Sequence, residues 1–179
     1  MKFARSTAAV ILATSFSLLS GLAHALPSDS QQPINVQADS AEMDDKRGVA
    51  IYRGDVVITQ GTLKITGDTV TITLDKNGDI DVFTSQGKPA YYEQLPAADK
   101  DLVQAYGLTI QYFASNEKII IIDQAKVIQQ GNTFRGEKII YDTKQEIVTA
   151  GRAKQGTVTT PTPRINMVIQ PKNKGTTTE

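Results

Sequence analysis

From Val56 to Asp75 the chain reads VVITQGTLKITGDTVTITLD. Its apolar residues keep a period of two: Val56 and Ile58, then Leu63 and Ile65, then Val70, Ile72 and Leu74. That period places each set on one face of a β-strand and is incompatible with a helix face. The same pattern continues along most of the chain, so the sequence predicts an all-β fold. Short runs broken by Gly, Asn, Asp and Pro mark the turns, with Asn77-Gly78 the strongest hairpin signal.

The N-terminus is of a different character. Lys2 and Arg5 precede an apolar-leaning run to Ala23, and Ala23-His24-Ala25 has small-x-small form. This pattern predicts a secretory signal peptide over residues 1–25; a membrane anchor is the alternative. Cleavage removes His24, the only histidine, from a chain that also lacks Cys and Trp. It also leaves a slight acidic excess, which argues against broad nucleic-acid binding. Without disulfides, an exported chain of this length must draw its stability from a buried core.

Residues 26–33 are polar, with two prolines, and are expected to be a flexible leader. Strands follow from Ile34 to Val148, with Leu95–Val103 as one helical turn or a longer loop, and Ile165–Ile169 as an edge strand. Domain boundaries are therefore set at 34–169, and 170–179 is expected to be a disordered tail. Asp55–Gly61 followed by Gly67-Asp68 recurs as Ala125–Gly131 followed by Gly136-Glu137, roughly 70 residues on. The recurrence predicts two similar halves of one elongated fold, or reflects the frequency of Gly-bounded strands.

Few chemistries are open to such a chain. Without His there is no imidazole base, and without His or Cys no usual zinc set. Phosphate-loop and dinucleotide glycine motifs are absent. Asp39, Glu42, Asp44 and Asp45 contain enough carboxylates for glycoside hydrolysis, but turns favour Asp for structural reasons. Asp75, Asn77 and Asp79 lack the glycine and twelfth-position glutamate of a calcium loop. No metal, cofactor or enzymatic activity is expected. The aliphatic face then forms either a closed core or a slot for acyl chains.

Three segments carry a resemblance: Gln32-Pro33-Ile34-Asn35-Val36-Gln37-Ala38-Asp39, Gly54-Asp55-Val56-Val57-Ile58-Thr59-Gln60-Gly61 and Gly87-Lys88-Pro89-Ala90. Together they resemble the OstA-like family of periplasmic lipopolysaccharide-transport proteins, over residues 32–168. The resemblance implies an elongated, twisted antiparallel β-jellyroll with an apolar interior that takes the lipid A part of lipopolysaccharide. It implies a periplasmic carrier that forms head-to-tail homo-oligomers. The resulting bridge would run from an inner-membrane LptC-type partner to an outer-membrane LptD-type translocon. A structural filament protein of the envelope with a closed core is the alternative.

By the same resemblance, interior positions map to Ile34, Val36, Tyr92, Ile110 and Tyr112. Alternation adds Val56, Ile58, Leu63, Ile65, Ile72 and Leu74, and more loosely Phe134. Ile119-Ile120-Ile121-Ile122 hides its own parity, and Tyr91-Tyr92 allows a shift by one. Terminal strands Ile34, Asn35, Val36 and Ile165, Asn166, Met167, Val168, Ile169 are the expected oligomer and partner edges.

Overall fold

The structure, a computed structural model, describes residues 29–151 and 164–171. The expected signal peptide and residues 172–179 of the expected tail lie outside the described residues. Among the described residues, ten strands form one antiparallel sheet. They are β1 (Ile34–Gln37), β2 (Ser40–Asp44), β3 (Val49–Gln60), β4 (Leu63–Leu74), β5 (Ile80–Gln94), β6 (Val103–Phe113), β7 (Lys118–Gln129), β8 (Asn132–Asp142), β9 (Ile147–Gly151) and β10 (Asn166–Val168). From β3 to β8 each strand pairs with the next, a meander built by short turns. β1 and β2 lie end to end along β3, and β10 and β9 do the same along β8.

Several of the short alternating runs are parts of longer strands. Gly87-Lys88-Pro89, although built of turn residues, lies within continuous β5, and Lys88-Pro89 is a cis peptide. Interruptions of register also lie inside β3 near Gly54, β4 near Gly67, β6 at Gly107-Leu108, β7 near Asp123 and β8 near Gly136. The residues between Gln94 and Val103 form a loop, and β6 starts at Val103. β2 occupies residues that read as the approach to a turn.

These interruptions line up across the sheet and act as a corner. Phe83 and Tyr112 are register partners, with ring centroids 6.1 Å apart. Tyr92, nine residues along β5 from Phe83, lies 5.4 Å from the same Tyr112 ring. A straight strand would separate residues 83 and 92 by about 30 Å. The strands therefore fold over at the bulges, and the halves of the sheet on either side of the corner face each other.

Inward parity changes at the corner. It runs Leu63, Ile65 then Val70, Ile72 in β4, and Phe83, Ser85 then Ala90, Tyr92 in β5. In β6 it runs Val103, Ala105 then Ile110, Tyr112. A corner shifts parity because the bulge inserts an unpaired residue. Gly107 belongs to it for a steric reason: a Cβ there would stand 2.4 Å from the Ile121 Cγ2.

The repeat is real in register but offset from its sequence motif. Val56 pairs with Gly67, and Ala125 pairs with Gly136. Buried Val56 and Ile58 thus match buried Ala125 and Val127, one residue out of step with the matching Gln-Gly pairs. The turns explain the slip. Gly61-Thr62 has positive φ only at its first residue, as in a type II′ turn, whereas Gln130-Gly131 has positive φ at both, as in type I′. The glycine sits first in one turn and second in the other.

Replacing Gly107 with Val should cost about 1–3 kcal/mol through overpacking against Ile121. Gly151→Ala, where an added Cβ meets nothing within 4 Å, should stay within about 0.5 kcal/mol. Urea unfolding midpoints at constant slope give both values.

Candidate functional site

The interior between the facing halves is the site that the sequence points to. Its centre is closed. Val56, Ile58, Leu63, Ile65, Ile110 and Tyr92 are at most 1% exposed, and Tyr112 and Ile72 only slightly more. Ile34, Val36 and Phe134 are half-buried against this core. Leu74, expected inside, is 38% exposed at the end of β4. The parity of Ile119–Ile122 is settled: Ile119 and Ile121 are buried and their neighbours face out. Tyr92 points in and Tyr91 out. Phe83, Val70, Ile139 and Tyr141 also build the core. Val70 followed from its own alternation, but Phe83 and Tyr141 lie beside apolar neighbours that obscure the period.

The interior opens near β1 and β2. There an apolar cavity of about 280 Å³ is bounded by Ile34, Val36, Tyr52, Ile72, Leu74 and Ile80. Met43, 70% exposed, stands at its rim. This mouth draws one wall from each side of the corner: β1 pairs with the 57–60 segment of β3, and β2 with its 49–53 segment.

Opposite the corner, the strand tips of the two halves form a seam lined by polar groups. Asp29 lies in a 3-10 turn, Asp29–Gln31, and accepts hydrogen bonds of 2.7 Å from the Thr62 backbone N–H, the Thr62 hydroxyl and the Gln94 amide. The Tyr92 hydroxyl donates to the Gln94 carbonyl oxygen. These contacts hold residues that read as a flexible leader. Farther along, Lys100 in the 95–102 loop of the same half reaches across to Glu146 in the β8–β9 turn of the other at 2.7 Å. Beside these contacts lies a cavity of about 360 Å³ with Thr62 and Gln94 on one wall and Tyr112 and Glu117 on the other.

Burial governs the electrostatics of the interior. Loss of water pushes the Tyr112 and Tyr141 hydroxyls up to about 12 and raises Tyr92 as well, so all three are neutral at physiological pH. The buried Tyr141 hydroxyl has no hydrogen-bond partner among the described residues. The carboxylates considered for catalysis are not gathered into a cleft. Glu42 and Asp44 lie on β2 and pair with Arg53 and Arg47. Among the described residues no group of His, Cys, Asp and Glu is placed to hold a metal, and no helix is long and apolar enough to cross a membrane.

Among the described residues, no strand pairs with the outer sides of β1 and β10. β10 spans Asn166–Val168, shorter than the expected Ile165–Ile169, and the flanking Ile165 and Ile169 are exposed together with Met167 and Val168. β1 has β3 as its only strand partner among the described residues.

A folded-over antiparallel sheet with an apolar interior, whose terminal strands are each paired on one side among the described residues, defines a β-jellyroll of the OstA-like kind. The chain belongs to the family described as LptA/(LptD N-terminal domain) LPS transport protein, whose model matches residues 35–147. It is 65% identical over 169 residues to the lipopolysaccharide export system protein LptH of Pseudomonas aeruginosa, covering 94% of this chain and 97% of that one. It is 30% identical over 153 residues to the lipopolysaccharide export system protein LptA of Escherichia coli, covering 84% and 82%. The crystal structure of Pseudomonas aeruginosa LptH, titled the LptA-homologous periplasmic component of the lipopolysaccharide transport device, matches with a TM-score of 0.73. It is 68% identical and covers 81% of this chain and all of that one.

Tyr92→Phe should destabilise by about 1 kcal/mol by leaving the Gln94 oxygen without its donor. Tyr141→Phe should be neutral or stabilising, because it removes a buried hydroxyl that has no partner. Denaturant midpoints of the two variants distinguish these cases.

Proposed function

We propose that the chain is a periplasmic, non-enzymatic carrier of lipopolysaccharide, whose acyl chains lie between the two facing halves of the sheet. The observation that carries this reading is the apolar mouth of Ile34, Val36, Leu74 and Ile80, continuous with the closed core. Every substantial strand-to-strand backbone contact is with a hydrogen-bonded neighbour. The halves thus meet across the interior through side chains. Parting them exchanges one apolar contact for another and breaks no ladder hydrogen bond. Each methylene taken from water contributes roughly 0.8 kcal/mol.

Ile34, Val36 and Leu74 line the mouth. Val56, Ile58, Leu63, Ile65, Ile72, Tyr92, Ile110, Tyr112 and Phe134 supply the deeper surface. The bare edges at β1 and at β9–β10 suit head-to-tail strand addition between copies. The terminal copies would meet an inner-membrane partner of LptC type and an outer-membrane partner of LptD type. The closed centre also favours a second reading, in which the core never opens and the edges alone build a structural filament.

A photocrosslinking amino acid at Ile34 should capture lipopolysaccharide in the presence of excess phospholipid, while the same probe at outward Lys64 should not. Leu74→Asp should weaken binding about tenfold or more by placing a charge in the mouth. Absence of any Ile34 crosslink in a folded protein would favour the filament.

Truncation before Ile165 should reduce oligomer mass in light scattering and leave the circular dichroism of the fold intact. An unchanged mass would remove β10 from the assembly.

A further inference from the structure

A different surface lies outside the corner. A row of register partners crosses the outer face: Tyr91 beside Tyr106, Tyr106 beside Lys126, Lys126 beside Arg135. Their inner neighbours Ala105, Ala125 and Val127 are buried, which fixes this row on the exterior. Lys88, Pro89, Leu108 and Gln124, from the bulges themselves, close a concavity of about 550 Å³ around Tyr106, Lys126 and Arg135.

Its charged lining residues are Lys88, Lys126 and Arg135, all basic. Glu93, on the same face, takes hydrogen bonds from Tyr91 and Gln104 and does not line the concavity. The four ion pairs among the described residues use Arg47, Arg53, Lys100 and Lys118, so none of the three cations is neutralised by one. Lys126 Nζ sits 3.9 Å from the Tyr106 ring centroid, and Tyr106 packs on Tyr91 at 4.9 Å. The aromatic pair holds the ammonium at the wall of the concavity. Arginine and lysine converging on one space suit a phosphate, and Pro89, Tyr106 and Leu108 offer an apolar wall for the C–H face of a sugar ring. The size is that of a small-ligand site.

We infer that this outer corner is a second binding site, for a phosphorylated saccharide. It lies across the roll from the seam, so it takes a head group presented from outside, independently of acyl chains in the interior.

The test uses the folded chain with lipopolysaccharide stripped of all acyl chains, which has no group for the apolar mouth. NMR should show shifts at Tyr91, Tyr106 and Lys126, and Lys126→Gln with Arg135→Gln should weaken binding at least tenfold. Lys76→Gln with Lys144→Gln, an equal loss of charge on exposed turns, should leave it unchanged. Vesicles carrying intact lipopolysaccharide, compared with the stripped probe, separate a membrane source from a free one; binding to either at this row supports the site. Equal affinity for inorganic phosphate, equal loss in the turn variant, tighter binding of polyglutamate, or no shift at these residues would each overturn the assignment. Because the probe lacks acyl chains, failure here leaves the Ile34 crosslink untouched, and failure of that crosslink leaves this result standing.

Discussion

The row of bulges is the constraint on which the rest depends. A long antiparallel meander with one apolar face has to cover that face. Here each long strand bends at an interruption and covers itself, so that Tyr92 meets Tyr112 from the other side of the corner. Positive φ at Gly54 and Asp55 in β3, and at Asp123 and Gln124 in β7, belongs to this bend. Non-glycine residues in the left-handed region carry a cost, and the core packed beneath them offsets it.

From that geometry follows a division of labour among forces. Ladder hydrogen bonds hold each half as a sheet, while across the interior the halves are held by apolar packing and, at the strand tips, by the exposed Lys100–Glu146 pair. The Asp29, Thr62 and Gln94 cluster works within one half: it ties the β3–β4 turn to the end of β5, where Gln94 is only 8% exposed. A carboxylate that takes three donors is worth more than a surface pair such as Lys100–Glu146. Polar contacts are thus strong inside a half and weak between the halves. An apolar interior between two facing half-sheets is the property that a carrier of long apolar chains requires.

Much of this was legible in the sequence, because a half-buried strand writes its orientation with period two. Val56, Ile58, Leu63, Ile65 and Ile72 were readable as inward on that ground, and they are buried. The corner was not readable. A glycine that bends a strand and one that ends it look alike in sequence, so Gly87-Lys88-Pro89 inside β5 carries the composition of a turn. Ile119–Ile122 had no polar residue to mark a face, and only pairing with Ile110 and Ile139 decides it. Asp29 was hidden because its partners, Thr62 and Gln94, are distant in sequence. The two-residue turns concealed the repeat's true register by moving one glycine a single position.

The placement of charge carries the argument one step further. Ion pairs at Asp44–Arg47, Glu42–Arg53, Lys100–Glu146 and Lys118–Asp142 sit at strand tips and on the edge strand. Exposed pairs of this kind contribute little to stability, so their positions are not dictated by folding. Each of them leaves an acid and a base neutralised together, and Lys100–Glu146 does so where the tips of the two halves meet. Among the described residues, Lys88, Lys126 and Arg135 at the corner make no such ion pair. Three like charges kept together repel one another, and that repulsion is a standing cost to the folded chain. An anion arriving from outside relieves it, whereas an apolar chain entering at the β1 mouth does not. The two surfaces therefore answer to different chemistries, although alternate residues of the same strands build both.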